Sequence, residues 1–161
     1  ALAHDHGLSI EAEVGSIGGE EDGVIGMGEV ADPAECAKIA ALGIDFLAAG
    51  IGNIHGKYPA NWQGLNFEAL DKIHNATDNI PLVLHGGTGI PAEDVRKAIK
   101  NGINKVNVGT IIKYTYLSSV FETLKRVGPT IHTIDLMLPA VEAIKEEVKR
   151  WIAVCMSDGK A

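Results

Sequence analysis

Four times along this chain a short apolar run ends in a glycine- or asparagine-rich loop, and a stretch of helical periodicity follows each time. The runs cover residues 8–14, 44–51, 80–85 and 103–108. They close on Gly15, Gly52-Asn53, Gly86-Gly87 and Gly109-Thr110. Runs this short, rich in Val, Ile and Leu, suit strands buried on both faces of a parallel sheet. The intervening helices carry start and stop signals. Asp32-Pro33 opens 34–42 and Gly43 closes it, Asn66 caps 67–75, and Pro91 opens 92–101 before Gly102. Two longer helices follow at about 111–127 and 133–154, broken at Gly128-Pro129. The expected fold class is therefore α/β, with right-handed crossovers and active residues at the carboxyl ends of the strands. An open doubly wound sheet and a (β/α)8 barrel both fit this alternation. A barrel needs eight such units over about 250 residues, and here there are four. Residues 1–161 read as a single segment without a linker.

Composition narrows the partners. Lys and Arg total 14 against 21 for Asp and Glu, a net charge of −7, which argues against nucleic acid or an anionic membrane. No run of about 18 uncharged apolar residues is present, so no spanning helix is expected. The two cysteines, Cys36 and Cys155, form no CxxC and read as reduced, buried or incidental thiols of a cytoplasmic protein.

The strand ends hold the chemistry. Glu11 and Glu13 leave the first strand on one face, because side chains at i and i+2 point the same way. Asn53, His55 and Lys57 lie just past the second strand, His85 ends the third, and Asn107 and Thr110 end the fourth. Two imidazoles and a carboxylate on one rim can form part of a zinc-type shell. His4, His6, His74 and His132 fall on helix ends or between helices and read as structural. Gly86-Gly87-Thr88-Gly89, leading into a helix, offers close backbone N–H groups and a hydroxyl to an anion, and Gly109-Thr110 repeats the arrangement. The acidic, glycine-hinged stretch 15–23 reads as a lid that could deliver a proton-transfer group.

Taken together, the four segments resemble one known family. Glu11-Ala-Glu13-Val-Gly-Ser-Ile-Gly-Gly-Glu-Glu-Asp-Gly23, Gly52-Asn-Ile-His55-Gly-Lys-Tyr58, Leu84-His85-Gly-Gly-Thr-Gly89 and Lys105-Val-Asn107-Val-Gly-Thr110 resemble the class II, metal-dependent ketose-bisphosphate aldolases. The fructose- and tagatose-bisphosphate enzymes are that family's main members. The resemblance runs over essentially the whole chain. It implies a (β/α)8 TIM barrel, of which this chain covers about strands five to eight and the C-terminal helices. It further implies zinc held by His55 and His85, with Glu13 as an alternative metal contact and Glu11 on the same rim. Glu21 matches the acidic loop residue that assists proton transfer. Gly56, Gly86 and Thr88 match positions around a monovalent cation and the ketose phosphate. Asn107 matches the contact to the dihydroxyacetone phosphate unit, and Gly109 and Thr110 its phosphate site.

The implied activity is zinc-dependent aldol cleavage of a ketose 1,6-bisphosphate in a cytoplasmic homo-oligomer. In that family a third zinc histidine and a catalytic aspartate lie in an Asp-His motif on an earlier strand. The Asp5-His6 pair is not that motif, because it sits just before the first run. Gly109 stands where many fructose enzymes carry Asp, which leaves fructose, tagatose and inositol-pathway phosphosugars open. The competing expectation is a non-catalytic half-barrel that binds phosphate or metal. Lys57 and Lys105 are the candidates for a rival Schiff-base mechanism.

Overall fold

The structure is a computed structural model that describes residues 2–21, 24–26 and 28–160; the side chains of residues 20, 21 and 24–26 lie outside that description. The chain forms two compact units, Ala1–Asn107 and Val108–Ala161.

In chain order the first unit contains α1 (Leu2–Asp5), β1 (Glu11–Val14), β2 (Gly18–Glu21), β3 (Val24–Gly26), α2 (Pro33–Ala40), β4 (Phe46–Ala49), β5 (Ile54–His55), α3 (Phe67–Ala76), β6 (Leu82–Leu84), α4 (Ala92–Lys100) and β7 (Ile103–Val106). Its main sheet has the order β1-β4-β6-β7, parallel throughout. This is the α/β architecture that the alternation implies, with shorter strands than the apolar runs. The helices start where their caps direct. Asp32 Oδ1 accepts from the amides of Ala34 (2.9 Å) and Glu35 (3.0 Å), and Asn66 Oδ1 accepts from that of Ala69 (2.9 Å).

Strand register decides what each face presents. Ala12, Leu47, Leu82 and Ile103 lie in one row across the sheet. Leu47, Leu82 and Ile103 are buried. Glu13, Ala48, Val83 and Lys105 form the next row, on the opposite face. Between the Leu82–Ile103 and Val83–Lys105 pairs the register shifts by one residue, leaving Asn104 as the extra one. Without that bulge Ile103 and Lys105, two apart, would share a face. The bulge therefore turns Lys105 onto the face that carries Glu11 and His85.

The stretch 15–23 differs from its expected loop character. It contains β2, which pairs antiparallel with β3 and parallel with β5, making a second, three-stranded sheet. Asp22 and Gly23, at the tip of the expected lid, lie outside the described residues. Gly19 fits against β5 because it lacks a side chain: at φ +97° a Cβ would run into the carbonyl oxygen of His55.

The second unit contains α5 (Thr110–Val127) and α6 (Thr133–Val154). Gly128 ends α5 with φ +79°. Tyr116 of α5 donates to the sulfur of Met137 on α6 at 2.7 Å. The outer side of α6 carries the pairs Lys145–Glu142, Lys149–Glu146 and Arg150–Glu147 at i,i+3 spacing. Among the described residues no helix is long and apolar enough to cross a membrane.

Candidate functional site

His55, in β5 of the smaller sheet, and His85, just past the end of β6 in the main sheet, meet. Their ring centroids are 5.5 Å apart and their planes stand at 86°. Two imidazoles bound to one tetrahedral ion at about 2.0–2.1 Å per Zn–N bond would place their centroids roughly 5 Å apart. The pair thus fits two ligands of one zinc ion. Among the described residues no group of three or more His, Cys, Asp or Glu side chains could hold a metal ion. Glu13 is exposed on β1, one residue before its buried last residue Val14, and lies outside any such group. Glu21 ends β2, and its side chain lies outside the described residues.

The loops that carry the two histidines are bolted together by buried polar groups. Asn53 is 1% exposed; its Oδ1 accepts from the Ile51 amide (3.0 Å) and its Nδ2 donates to the His85 carbonyl (3.1 Å). Tyr58 accepts from the Ile54 amide (3.1 Å) and donates to the Gly86 carbonyl (2.9 Å). Burial pushes the Tyr58 phenol up to about 12, despite the opposing pull of the Ile54 amide. Its ring stands edge-on to Trp62, whose indole N–H donates to the Gly52 carbonyl at 2.7 Å. Gly86, at φ +68°, completes the contact: a Cβ there would strike the Ile54 carbonyl oxygen. Neither Asn53 nor Tyr58 stands out as functional by residue type. The available signal was an asparagine and a tyrosine inside Gly-rich strand ends, where a buried polar group needs partners.

Around His85 the face turns polar. Glu11 Oε1 lies 3.0 Å from His85 Nε2, and Glu11 Oε2 accepts from Lys105 Nζ at 2.6 Å. Burial alone would raise the Glu11 carboxyl, but hydrogen bonds from Lys105 and His85 outweigh it and hold the group below its ordinary range. The Asn107 amide nitrogen sits 3.3 Å from His85 Nε2 and 3.5 Å from Nδ1. The main chains join there too: the Asn107 amide donates to Leu84 O (2.9 Å) and the Gly87 amide to Asn107 O (3.1 Å). Gly56 follows His55 with φ +81°. Thr88 lies in the turn that the Ile90 amide closes on Gly87 O at 3.3 Å.

Gly109 and Thr110 belong to the second unit, where they open α5. Gly109 makes no side-chain cap bond, and the first turn of α5 holds no acidic residue. The positive dipole end of α5 therefore meets no carboxylate from its own first turn, which favours an anion there. The first turn of α4 instead already carries Glu93 and Asp94.

Comparison with known proteins identifies the family. The family profile described as "Fructose-bisphosphate aldolase class-II" matches residues 1–160. A fructose-bisphosphate aldolase of Streptococcus pneumoniae is 44% identical over 99% of this chain and 57% of its own length. One from Mycoplasma pneumoniae is 54% identical over 75% of this chain and 42% of its own length. A crystal structure from Coccidioides immitis, assigned as a fructose-1,6-bisphosphate aldolase, superposes with a TM-score of 0.86 at 30% identity, covering 98% of this chain and 55% of that one. The YdjI aldolase of Escherichia coli K12 gives 0.80 at 31% identity, covering 99% and 53%. The chain thus spans little more than half the length of these relatives.

Proposed function

The chain belongs to the class-II fructose-bisphosphate aldolase family, and from that premise we propose that it carries the metal and phosphate side of an aldolase active site. The reaction is reversible cleavage of a ketose 1,6-bisphosphate, fructose or tagatose, to dihydroxyacetone phosphate and glyceraldehyde 3-phosphate. On this reading residues 1–161 form the C-terminal half of a (β/α)8 barrel, strands five to eight, in a cytoplasmic homo-oligomer. The observation that carries the proposal is the His55–His85 pair, 5.5 Å apart and edge-on at neighbouring strand ends.

His55 and His85 would hold zinc, with Glu13 as an alternative contact and a third histidine from an earlier strand. The ion supplies Lewis-acid stabilisation of the charge that develops beside the carbonyl as the carbon–carbon bond breaks. The chain's own residues supply the rest. Asn107 offers an amide donor beside His85 to the oxygens of the three-carbon ketone. Gly109 and Thr110 offer backbone and hydroxyl donors to its phosphate at a helix start free of acidic residues. Gly56, Gly86 and Thr88 line the remaining rim, where a monovalent cation and the ketose phosphate would lie. Glu21 would move a proton to or from the substrate. Anchoring the ketone oxygens and the phosphate beside them orients the substrate, so that the bond-breaking step becomes effectively intramolecular.

The test is cleavage of fructose and tagatose 1,6-bisphosphates, with and without a chelator, by the full-length barrel that on this reading supplies the earlier-strand Asp-His motif. Chelator-sensitive turnover with no borohydride-trapped adduct is expected. Metal-independent turnover, or trapping on Lys57 or Lys105, would overturn the reading. A second reading, a binding module without turnover, is favoured by the lack of a third grouped ligand among the described residues. Zinc uptake without cleavage would select it.

A further inference from the structure

The Glu11–Lys105 ion pair takes no part in the chemistry above, yet it is built at some structural cost. β1 and β7 are the two edges of the main sheet, with β4 and β6 between them. Three strand spacings of roughly 4.8 Å separate such edges by about 14 Å. Only two long side chains reaching toward each other can close that gap, and Glu11 and Lys105 do so at 2.6 Å. Ala48 and Val83 occupy the two strands between the edges, in the row of Lys105 and Glu13, and Glu11 lies two residues before Glu13 on the same face. Lys105 reaches this face only because of the bulge at Asn104. Of the three side chains, His85 is 18% exposed, Glu11 27% and Lys105 44%, so the carboxylate is more sheltered than its cation.

We infer that Glu11 is a positioning residue: clamped by Lys105, it accepts the Nε2 proton of His85 and so leaves Nδ1 as the ring's lone-pair donor. This rests on the metal-centre reading given above. The argument is one of hydrogen-bond inventory. An ionised carboxylate can only accept, so a neutral ring facing it must carry its proton on Nε2. The remaining nitrogen then has the lone pair that a divalent ion needs. Lys105 takes the second oxygen, fixing the rotation of the carboxylate and hence the plane of the ring. The contact from Glu11 is shorter, at 3.0 Å, than either contact from the Asn107 amide, at 3.3 and 3.5 Å. A carboxylate–histidine–metal arrangement of this kind sets ring tautomer and orientation together. It also accounts for Lys105, whose ammonium is engaged by Glu11 rather than standing ready as a Schiff-base amine.

Long-range 1H–15N NMR of the metal-free chain, at alkaline pH where a neutral ring carries one proton, reads the tautomer directly. Zinc affinity is read in parallel by competition with a chromophoric chelator. In the wild type His85 is expected as the Nε2–H form. Glu11→Gln, whose amide can donate as well as accept, should bring in the Nδ1–H form and weaken zinc roughly 10- to 100-fold, with an unchanged circular dichroism spectrum. Lys105→Met should keep the tautomer and weaken zinc by less. A wild-type ring protonated on Nδ1, or identical tautomers in the wild type and Glu11→Gln, overturns the inference. If Glu11→Gln does not fold, the wild-type tautomer still decides, and zinc affinity unchanged in Lys105→Met removes the clamp. The expected tautomers in a wild type that takes up no zinc would uphold the hold on the ring and sink the metal-centre reading instead.

Discussion

The outer side of α6 and the polar face of the main sheet both carry carboxylate–cation pairs at nearly the same distances. On α6 the Lys145–Glu142 and Lys149–Glu146 contacts measure 2.6 and 2.7 Å, and every partner is more than half exposed. On the sheet Lys105–Glu11 measures 2.6 Å, but Glu11 is only 27% exposed and is shared with His85. Distance alone therefore says nothing about role. On α6 the partners are three residues apart, so any helix of that sequence forms the pairs, and water screens them. On the sheet the partners are 94 positions apart. Folding of the whole first unit brings them together, beside the ring of His85.

The largest effect should follow from His85→Ala. It removes one of the two paired imidazoles and should lower zinc affinity beyond the roughly 100-fold ceiling of an outer-shell change, as read by chelator competition. A smaller loss would mean that the ring belongs to the scaffold, and the contrast with α6 would lose its functional half.

Asn53→Ala comes next and acts on stability. It strips partners from the Ile51 amide and the His85 carbonyl, so unfolding in urea should show a loss of about 2–4 kcal/mol. A smaller cost, of about 1–3 kcal/mol, is expected for Tyr58→Phe, which leaves the Ile54 amide and the Gly86 carbonyl unpaired.

Tyr58 also predicts a pH dependence. Its pKa in the fold is raised by burial to about 12, above the ordinary value of about 10 for an unfolded chain. The folded state therefore keeps a proton that the unfolded state sheds. The associated stability is fully present below pH ~10 and is lost as pH rises toward about 12. Comparing alkaline unfolding of the wild type with Tyr58→Phe isolates the slope, and equal slopes would refute the assignment. The smallest effect belongs to α6: Lys145→Ala and Lys149→Ala should leave the melting temperature unchanged within error, in low or high salt. A clear drop would show that the surface pairs count for more than their exposure implies.

Much of this was legible in the chain before any coordinates. The four sheet strands and five main helices lie where the apolar runs, Asp32-Pro33, Asn66 and the closing glycines put them, because those signals act within a few residues. His55 and His85 were also legible, as imidazoles at successive strand ends. The hairpin of β2 and β3 was not. A glycine-rich acidic stretch has little strand propensity of its own, and its partner β5 is a two-residue strand more than 30 positions away. Nor could the sequence separate Glu11 from Glu13. Alternation places both on one face, and only the position of each along β1 relative to β6 decides which carboxylate meets His85.

What the residues determined alone was whatever depends on neighbours along the chain: the element order, the helix caps, the alternation of faces, and the i,i+3 pairs on α6. What the tertiary structure decided was every contact that needs two distant segments in register. These are the meeting of the two imidazoles, the Asn53 and Tyr58 links between their loops, and the one-residue bulge that turns Lys105 toward Glu11. Side-chain direction in a strand reverses with each residue. A single unforeseen insertion in the ladder therefore moves a charge from one face of the sheet to the other, and no local pattern announces it.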